Sequence, residues 1–247
     1  MDKKIIIVGA SSGIGRRLAC DFARMGCRVG ISARREERLK EVAEMFPEAI
    51  TYRSFDVTDD GAAGDFYDLI EANGGMDILV YAAGAGFTNP TLDPALDRRM
   101  VEVNVKGFTS IVSAAYRYFR DTANVAPGQI AAITSVAGTK GIGVAAAYSA
   151  SKRYQQNYLQ ALAQLSRIEN VKLKITDIRP GFVRTPLLDP KKDYPLIMSV
   201  DYVAPLIEKA ILKARRVAVI DRRWSIIDTL WRWLPSCIWE RCKIHES

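Results

Sequence analysis

Short apolar runs alternate with amphipathic segments along almost the whole chain, and this alternation limits the fold more than any other feature. Apolar runs near 4–9, 28–32, 50–54, 77–82, 129–135, 171–178 and 217–220 suit strands buried on both faces. The segments between and after them, near 13–25, 35–46, 60–73, 97–120, 146–168, 200–214 and 223–234, suit helices. Regular strand–helix alternation requires right-handed crossovers, which lay helices on both faces of one parallel sheet. The expectation is an α/β, Rossmann-like, doubly wound fold with a seven-stranded parallel sheet. Its ligand crevice should lie beyond the C-terminal strand ends. At 247 residues the chain fits one large domain. A main unit over 1–221 and an amphipathic, Trp/Arg-rich extension over 222–247 are predicted.

The loop after the first apolar run reads Gly9-Ala-Ser11-Ser12-Gly13-Ile14-Gly15, and an amphipathic segment opens behind it. In such a turn Gly9 allows the sharp bend and Gly13 lets the backbone approach a pyrophosphate. Gly15 lets helix pack closely on strand. Free N–H groups and the positive dipole end of the helix then suit phosphates, with Ser11 and Ser12 as further donors. The second run ends Ile31-Ser32-Ala33-Arg34-Arg35. An NAD site usually ends this strand with a carboxylate for the ribose 2′-hydroxyl. Here Arg34 instead offers a planar fork suited to a 2′-phosphate, so NADP(H) is expected rather than NAD(H).

Several chemistries are excluded by composition. The one histidine, His245, stands near the C-terminus, badly placed for a Ser-His-Asp or Cys-His nucleophile. His-rich metal sites are excluded as well, and no metal is expected. Cys20, Cys27, Cys237 and Cys242 form no C-x-x-C pair and read as reduced thiols in a cytoplasmic protein. The apolar run after Lys3 and Lys4 stops at Gly9, short of the roughly 7–15 residues of a secretory signal. The net charge of +7 is concentrated in residues 209–247 rather than in a basic stripe interleaved with aromatics. Nucleic acid is therefore not an expected partner.

Tyr148-Ser-Ala-Ser-Lys152 carries the acid–base chemistry. On a helix, positions i and i+4 share one face about 5–6 Å apart. A phenol titrates near pH 10, and a nearby ammonium favours the phenolate. Ser135, at the end of the fifth run, can donate to the same substrate oxygen.

With these elements in place, the chain resembles the short-chain dehydrogenase/reductase family, in its single-domain branch. The resemblance covers roughly residues 4–220. It rests on Gly9-x-x-x-Gly13-x-Gly15, Asp56-Val57, Gly84, Asn104, Ser135, Tyr148-x-x-x-Lys152 and Pro180-Gly181-x-Val183-x-Thr185. It implies that Tyr148 is the general acid/base and that Lys152 binds the nicotinamide ribose and lowers the tyrosine pKa. Ser135 would polarise the carbonyl. Asn104 would kink its helix so that a freed carbonyl holds a water, linking Lys152 to solvent. Asp56 would bind the adenine amino group beside Val57, and Ala83 and Gly84 would line the cofactor. Pro180, Gly181, Val183 and Thr185 would fix the carboxamide. Two departures stand out: Val8 replaces the family's usual Thr, and Tyr81-Ala82-Ala83-Gly84 replaces Asn-Asn-Ala-Gly. A compensating apolar packing is expected there.

The implied activity is NADP(H)-dependent hydride transfer on a carbonyl or secondary alcohol. Two alternatives share parts of the pattern. Nucleotide-sugar epimerases and dehydratases share Y-x-x-x-K but usually have G-x-x-G-x-x-G and a longer substrate domain. A non-catalytic dinucleotide scaffold or sensor has no need of a tuned acid. The substrate loops, Ala85–Thr91, Val136–Val144 and Phe182–Met198, are rich in apolar residues and suit an apolar carbonyl. The last of these, with Pro186, Pro190 and Pro195, reads as a mobile lid. A homodimer or homotetramer through the helices near 97–120 and 146–168 is implied. In the tail, Trp224, Ile227, Trp231 and Leu234 share one helical face, which Ile226, Leu230 and Trp233 widen. The helix packs on its own domain or a partner subunit, or residues 222–239 lie on a membrane with Arg222, Arg223 and Arg232 toward anionic lipid.

Overall fold

The structure, a computed structural model, describes residues 3–122 and 127–242. His245 and residues 243–247 of the tail lie outside the described residues. The strands are β1 (Lys4–Val8), β2 (Arg28–Ala33), β3 (Ile50–Ser54), β4 (Ile78–Tyr81), β5 (Gly128–Ile133), β6 (Leu173–Arg179) and β7 (Val217–Val219). All pair in parallel, in the order β3-β2-β1-β4-β5-β6-β7. This is the doubly wound seven-stranded sheet that the alternation predicts. The order reverses at β1, so the C-terminal ends of β1 and β4 open a crevice between them.

The apolar run Ile5–Val8 is central and buried on both sides. Ile5 and Ile7 join a core with Leu18, Phe22, Leu39 and Ile207. Ile6 and Val8 join the opposite core with Phe66, Leu69, Phe108 and Leu159. The period-2 alternation of strand side chains thus feeds two helical layers. The helices α1 (Gly13–Arg24), α2 (Glu36–Glu44) and α7 (Val200–Leu212) supply one layer. The other is formed by α3 (Ala62–Ala72), α5 (Phe108–Asp121) and α6 (Ala146–Ile168).

The helix expected at 97–120 departs from a single α-helix. It begins earlier, as α4 (Pro94–Val101), because Asp93 caps it by accepting from Ala95 N at 2.8 Å and Pro94 suits the first turn. It then widens into a π-helical stretch, Glu102–Gly107, before α5. Asn104 sits within that stretch, where the helix was expected to be distorted.

In the tail, α8 (Arg222–Trp233) is followed by the short α9 (Ser236–Trp239) after Pro235. Trp224 is buried and belongs to the same core as β1, and Ile227 and Trp231 pack against it. Ile226, Leu230 and Trp233 face outward, 63%, 64% and 83% exposed. The helix therefore packs on its own domain by one face and leaves the other uncovered.

Candidate active site

The C-terminal ends of β1 to β6 deliver most of the candidate residues to the crevice, and α6 brings Tyr148 and Lys152. After β1, the glycine turn is set by backbone geometry. Gly9 adopts φ +95°, and a Cβ there would stand 2.4 Å from Ala83 N. A Cβ on Gly15 would meet the Gly9 carbonyl oxygen at 2.2 Å, so α1 begins in contact with the turn. Gly13 faces the Thr185 methyl, which brings the loop after β6 against the first turn of α1. Ser12 makes no side-chain capping bond, and the first turn of α1 holds no carboxylate. That helix end is a cradle for an anion.

The arginines divide their roles differently from the expectation. Arg34 reaches Asp56 at 3.5 Å and is largely exposed. Arg35 leans over the glycine turn, donating from Nη2 to Ser11 Oγ at 2.9 Å and to Ser12 Oγ at 3.2 Å. Burial and the neighbouring Arg38 and Arg34 hold its pKa below the ordinary value. Arg35 is thus a cation at the cradle that the sequence reading left unassigned. The signal was the doubled arginine itself. Asp56 also accepts from Thr58 N at 3.0 Å and Thr58 Oγ1 at 2.9 Å, and Val57 beside it is buried against Gly107.

After β4, Tyr81 fills the place of the family's polar residue. It is fully buried, meets Phe108 edge-on at 5.2 Å and donates to the Val103 carbonyl at 3.5 Å. The apolar packing expected there is present, with one hydroxyl tied to the π-helical stretch. Ala83 and Gly84 follow. The Gly84 backbone lies beside both Asn104 and Lys152, so that a Cβ would sit 3.5 Å from Asn104 Oδ1 and 3.6 Å from Lys152 Nζ.

After β5, Ser135 caps a short 3-10 turn by accepting from Ala137 N at 3.1 Å. Its hydroxyl also donates to the Pro180 carbonyl at 3.5 Å, and it lies near enough to the Tyr148 phenol to favour the phenolate. Its carbonyl accepts from Gln156 Nε2 at 2.7 Å, which ties this strand end to α6. On α6, Tyr148 and Lys152 share a face, and Lys152 Nζ lies 5.8 Å from the Tyr148 ring centroid. Lys152 is buried and donates to the Ile133 carbonyl at 3.3 Å and to Gln155 Oε1 at 3.1 Å.

Burial dominates the protonation of this pair. Burial raises the Tyr148 pKa, and the hydrogen bond from Ser135 works against that rise. Burial also disfavours the charged form of Lys152. Its pKa falls to about 8, partly restored by the Asp177 carboxylate. Asp177 is itself buried, accepting from Thr134 Oγ1 at 2.6 Å and from Arg179 Nη2 at 2.6 Å.

Asn104 is fully buried. Its side chain donates to the Ala85 carbonyl at 2.7 Å and to Ser151 Oγ at 3.0 Å, and accepts from Ala85 N at 2.9 Å. Its main-chain carbonyl, expected to hold a water, accepts from Gln155 Nε2 at 2.9 Å. Gln155 is the second residue that sequence reasoning missed.

The loop over the cleft is pinned at its base. Arg184 N donates to the Met198 carbonyl and Met198 N to the Phe182 carbonyl, at 2.8 and 3.0 Å. Phe182 packs on Tyr194 and Trp224, and Trp224 lies against Gly181 beside Pro180. Val183 is buried in the same core. Gly86 lies against the Tyr148 ring, with Leu187 packed beside the same glycine. The tail clasps the loop after Ser135 at three points. Thr139 Oγ1 donates to Asp228, Lys140 Nζ to the Leu234 carbonyl at 2.8 Å, and Trp239 Nε1 to the Gly141 carbonyl at 2.6 Å. Chemically, the arrangement offers an anion cradle at one end of the crevice and a phenol, hydroxyl and amine at the other.

Comparison with known proteins agrees with this layout. Residues 3–195 match the profile of the family described as "short chain dehydrogenase". The chain is 32% identical over 201 residues to a Dictyostelium discoideum protein named "Dehydrogenase/reductase SDR family protein 7-like", an alignment spanning 76% of this chain and 61% of that relative. It is 30% identical over 215 residues to an "Uncharacterized oxidoreductase" of Myxococcus xanthus, spanning 84% and 83% of the two chains. A solved 3-ketoacyl-(acyl-carrier-protein) reductase from Brucella melitensis, complexed with NADH, superposes with a TM-score of 0.77 over 88% of this chain and 95% of the other. At 24% identity that likeness shows the fold.

Proposed function

The chain belongs to the short-chain dehydrogenase family, and from that premise we propose an NADP(H)-dependent oxidoreductase acting on a carbonyl or secondary alcohol. The observation that carries the reading is the Tyr148 phenol beside Ser135, on the helix face that holds the buried Lys152 amine. The bound nicotinamide supplies or accepts the hydride. The residues suited to hold the dinucleotide are Gly9, Ser11, Ser12, Gly13, Ile14 and Gly15 for the pyrophosphate and Asp56 and Val57 for the adenine. Ala83, Gly84 and Lys152 suit the ribose side, and Pro180, Gly181, Val183 and Thr185 the carboxamide. The uncapped N-terminus of α1 favours such an anion. NADP(H) is preferred over NAD(H) because β2 ends without a carboxylate and Arg34 and Arg35 follow it.

In the reducing direction Ser135 donates to the substrate oxygen while Tyr148 gives up its proton as charge develops there. A phenol whose pKa is raised keeps that proton until then. Asn104 holds the Ala85 backbone and Ser151, which fixes the loop and helix on either side of the phenol. Gly86 beside the ring, and Leu187 beside Gly86, favour an apolar substrate. The catalytic unit is assigned to residues 1–221.

Absorbance at 340 nm with a panel of ketones, aldehydes, quinones and steroids tests this. Turnover is expected with NADPH, and Tyr148→Phe should lower it by about 10²- to 10⁴-fold while dinucleotide binding persists. Tight NADPH binding with no turnover across the panel would favour the scaffold or sensor alternative. A homodimer or homotetramer through α4, α5 and α6 forms part of the proposal.

A peripheral membrane contact through residues 222–239 is also proposed. It is supported by the outward Ile226, Leu230 and Trp233, continued by the exposed Ile238, with Arg222 at the helix start. Arg223 and Arg232 are tied to Asp221 and Asp228. No helix among the described residues is long and apolar enough to cross a membrane. Flotation with anionic vesicles should recover the chain and lose the Leu230→Glu/Trp233→Glu variant. Point variants are needed because truncation at Asp221 removes Trp224 from the core. Equal flotation of both proteins would remove the membrane contact.

A further inference from the structure

Tyr148, Lys152 and Gln155 stand at i, i+4 and i+7 on α6 and therefore share one face. Gln155 is fully buried, and both ends of its amide are engaged. Its Oε1 accepts from Lys152 Nζ at 3.1 Å, and its Nε2 donates to the Asn104 carbonyl at 2.9 Å. The orientation follows from the partners. An ammonium only donates and a main-chain carbonyl only accepts, so the amide has one way to satisfy both. A buried polar side chain satisfied at both ends is a rigid strut.

The Asn104 carbonyl belongs to the π-helical stretch, and the Asn104 side chain to the contacts with Ala85 and Ser151. Gln155 thus connects the amine of α6 to the one distorted turn of the neighbouring helix. The Ile133 carbonyl holds the same amine from the end of β5 at 3.3 Å. Two acceptors on two different elements fix Nζ in position, on the side where the Gly84 backbone and the Tyr148 ring lie.

We propose that Gln155 is a positioning residue for Lys152: it holds the amine in place from the Asn104 turn and sets its affinity for a proton. The part this plays in catalysis rests on the function proposed above, whereas the amine's proton affinity can be read without substrate or cofactor. The other groups facing the amine are the Ile133 carbonyl, the Tyr148 ring and, at longer range, the Asp177 carboxylate.

The test uses the full chain with lysine labelled at 13Cε and 15Nζ. The Lys152 signal is assigned through Lys152→Met and followed from pH 5 to 11. Gln155→Leu keeps the volume and removes the acceptor, so the Lys152 midpoint should fall by about one pH unit. Gln155→Glu places a carboxylate beside the amine, so the midpoint should rise by about one to three units. A general loosening of the helix would move both variants the same way, toward the value of an exposed lysine. Opposite displacements support the proposal. Unmoved midpoints, or displacements of one sign in both variants, overturn it. If Gln155→Leu does not fold, by circular dichroism, Gln155→Glu decides: a rise with an unchanged Tm supports the proposal, and no rise, or a rise with a lowered Tm, overturns it. In the pH profile of turnover, the limb set by Lys152 should move with the midpoint in Gln155→Glu. A chain that shows the two displacements but transfers no hydride would refute the proposed function and leave this inference standing. Hydride transfer with unmoved midpoints would do the reverse.

Discussion

Replacing Lys152 by Met should make the protein more stable at neutral pH. The amine is buried, and its pKa lies at about 8 against an ordinary 10.5. That displacement corresponds to roughly 3 kcal/mol by which the folded state is burdened when the group is charged. Below about pH 8 the folded and unfolded chains both carry the proton, and only the folded one has it in a dry place. Between about 8 and 10.5 the folded chain has released the proton while the unfolded chain still binds it. Wild-type stability therefore climbs with pH across that window. Methionine carries no charge and has no such window. It does leave the Ile133 carbonyl and Gln155 Oε1 without their donor, at about 1 kcal/mol each. The net expectation is a gain of about 1 kcal/mol near pH 7, a rise in Tm of about 2–4 °C for a domain of this size. The advantage should reverse near pH 9, once the wild type has gained about 1 kcal/mol from the titration. Urea unfolding of both proteins at matched pH values from 6 to 10.5 measures it. A difference in stability that stays flat over that range would refute the reasoning, since no other origin of the gain is tied to this titration.

Arg34→Ala and Arg35→Ala should each weaken NADPH by about 10-fold or more and NADH far less, because each removes a charge-assisted partner of a 2′-phosphate. Fluorescence titration reads both constants, and equal losses for the two dinucleotides would remove the phosphate assignment. Gly181→Ala should destabilise the fold by about 1–3 kcal/mol, since its Cβ would lie 2.1 Å from Trp224 Cε2 and the indole must move. An unchanged Tm would show that the indole is not seated there.

The strands were legible because burial on both faces leaves unbroken apolar runs such as Ile5–Val8, bounded by glycine or charge. Tyr148 and Lys152 were legible because helical periodicity turns a spacing of four into adjacency. The π-helical stretch carries no residue signature of its own, and only the resemblance placed a distortion at Asn104. Gln155 reads in sequence as an ordinary polar helix residue; its role depends on where the neighbouring helix brings a carbonyl. Which of two adjacent arginines meets the glycine turn depends on the backbone between β2 and α2, which composition does not encode. The direction of the Tyr148 displacement was hidden for a different reason. The sequence names the neighbours of a group but not how much water surrounds it, and here burial outweighs them. In α8 apolar residues occupy both faces, so periodicity could not say which one the domain would cover.

The three bonds between the tail and residues 139–141 make the outer helix and the wall of the cleft one mechanical unit. A ligand that repositions one must reposition the other, and the free energy of that coupling is the same read from either end. Whatever settles on the outward face of α8 and tightens or slackens the clasp changes affinity in the cleft by some factor. Filling the cleft must then change attachment at that face by the same factor.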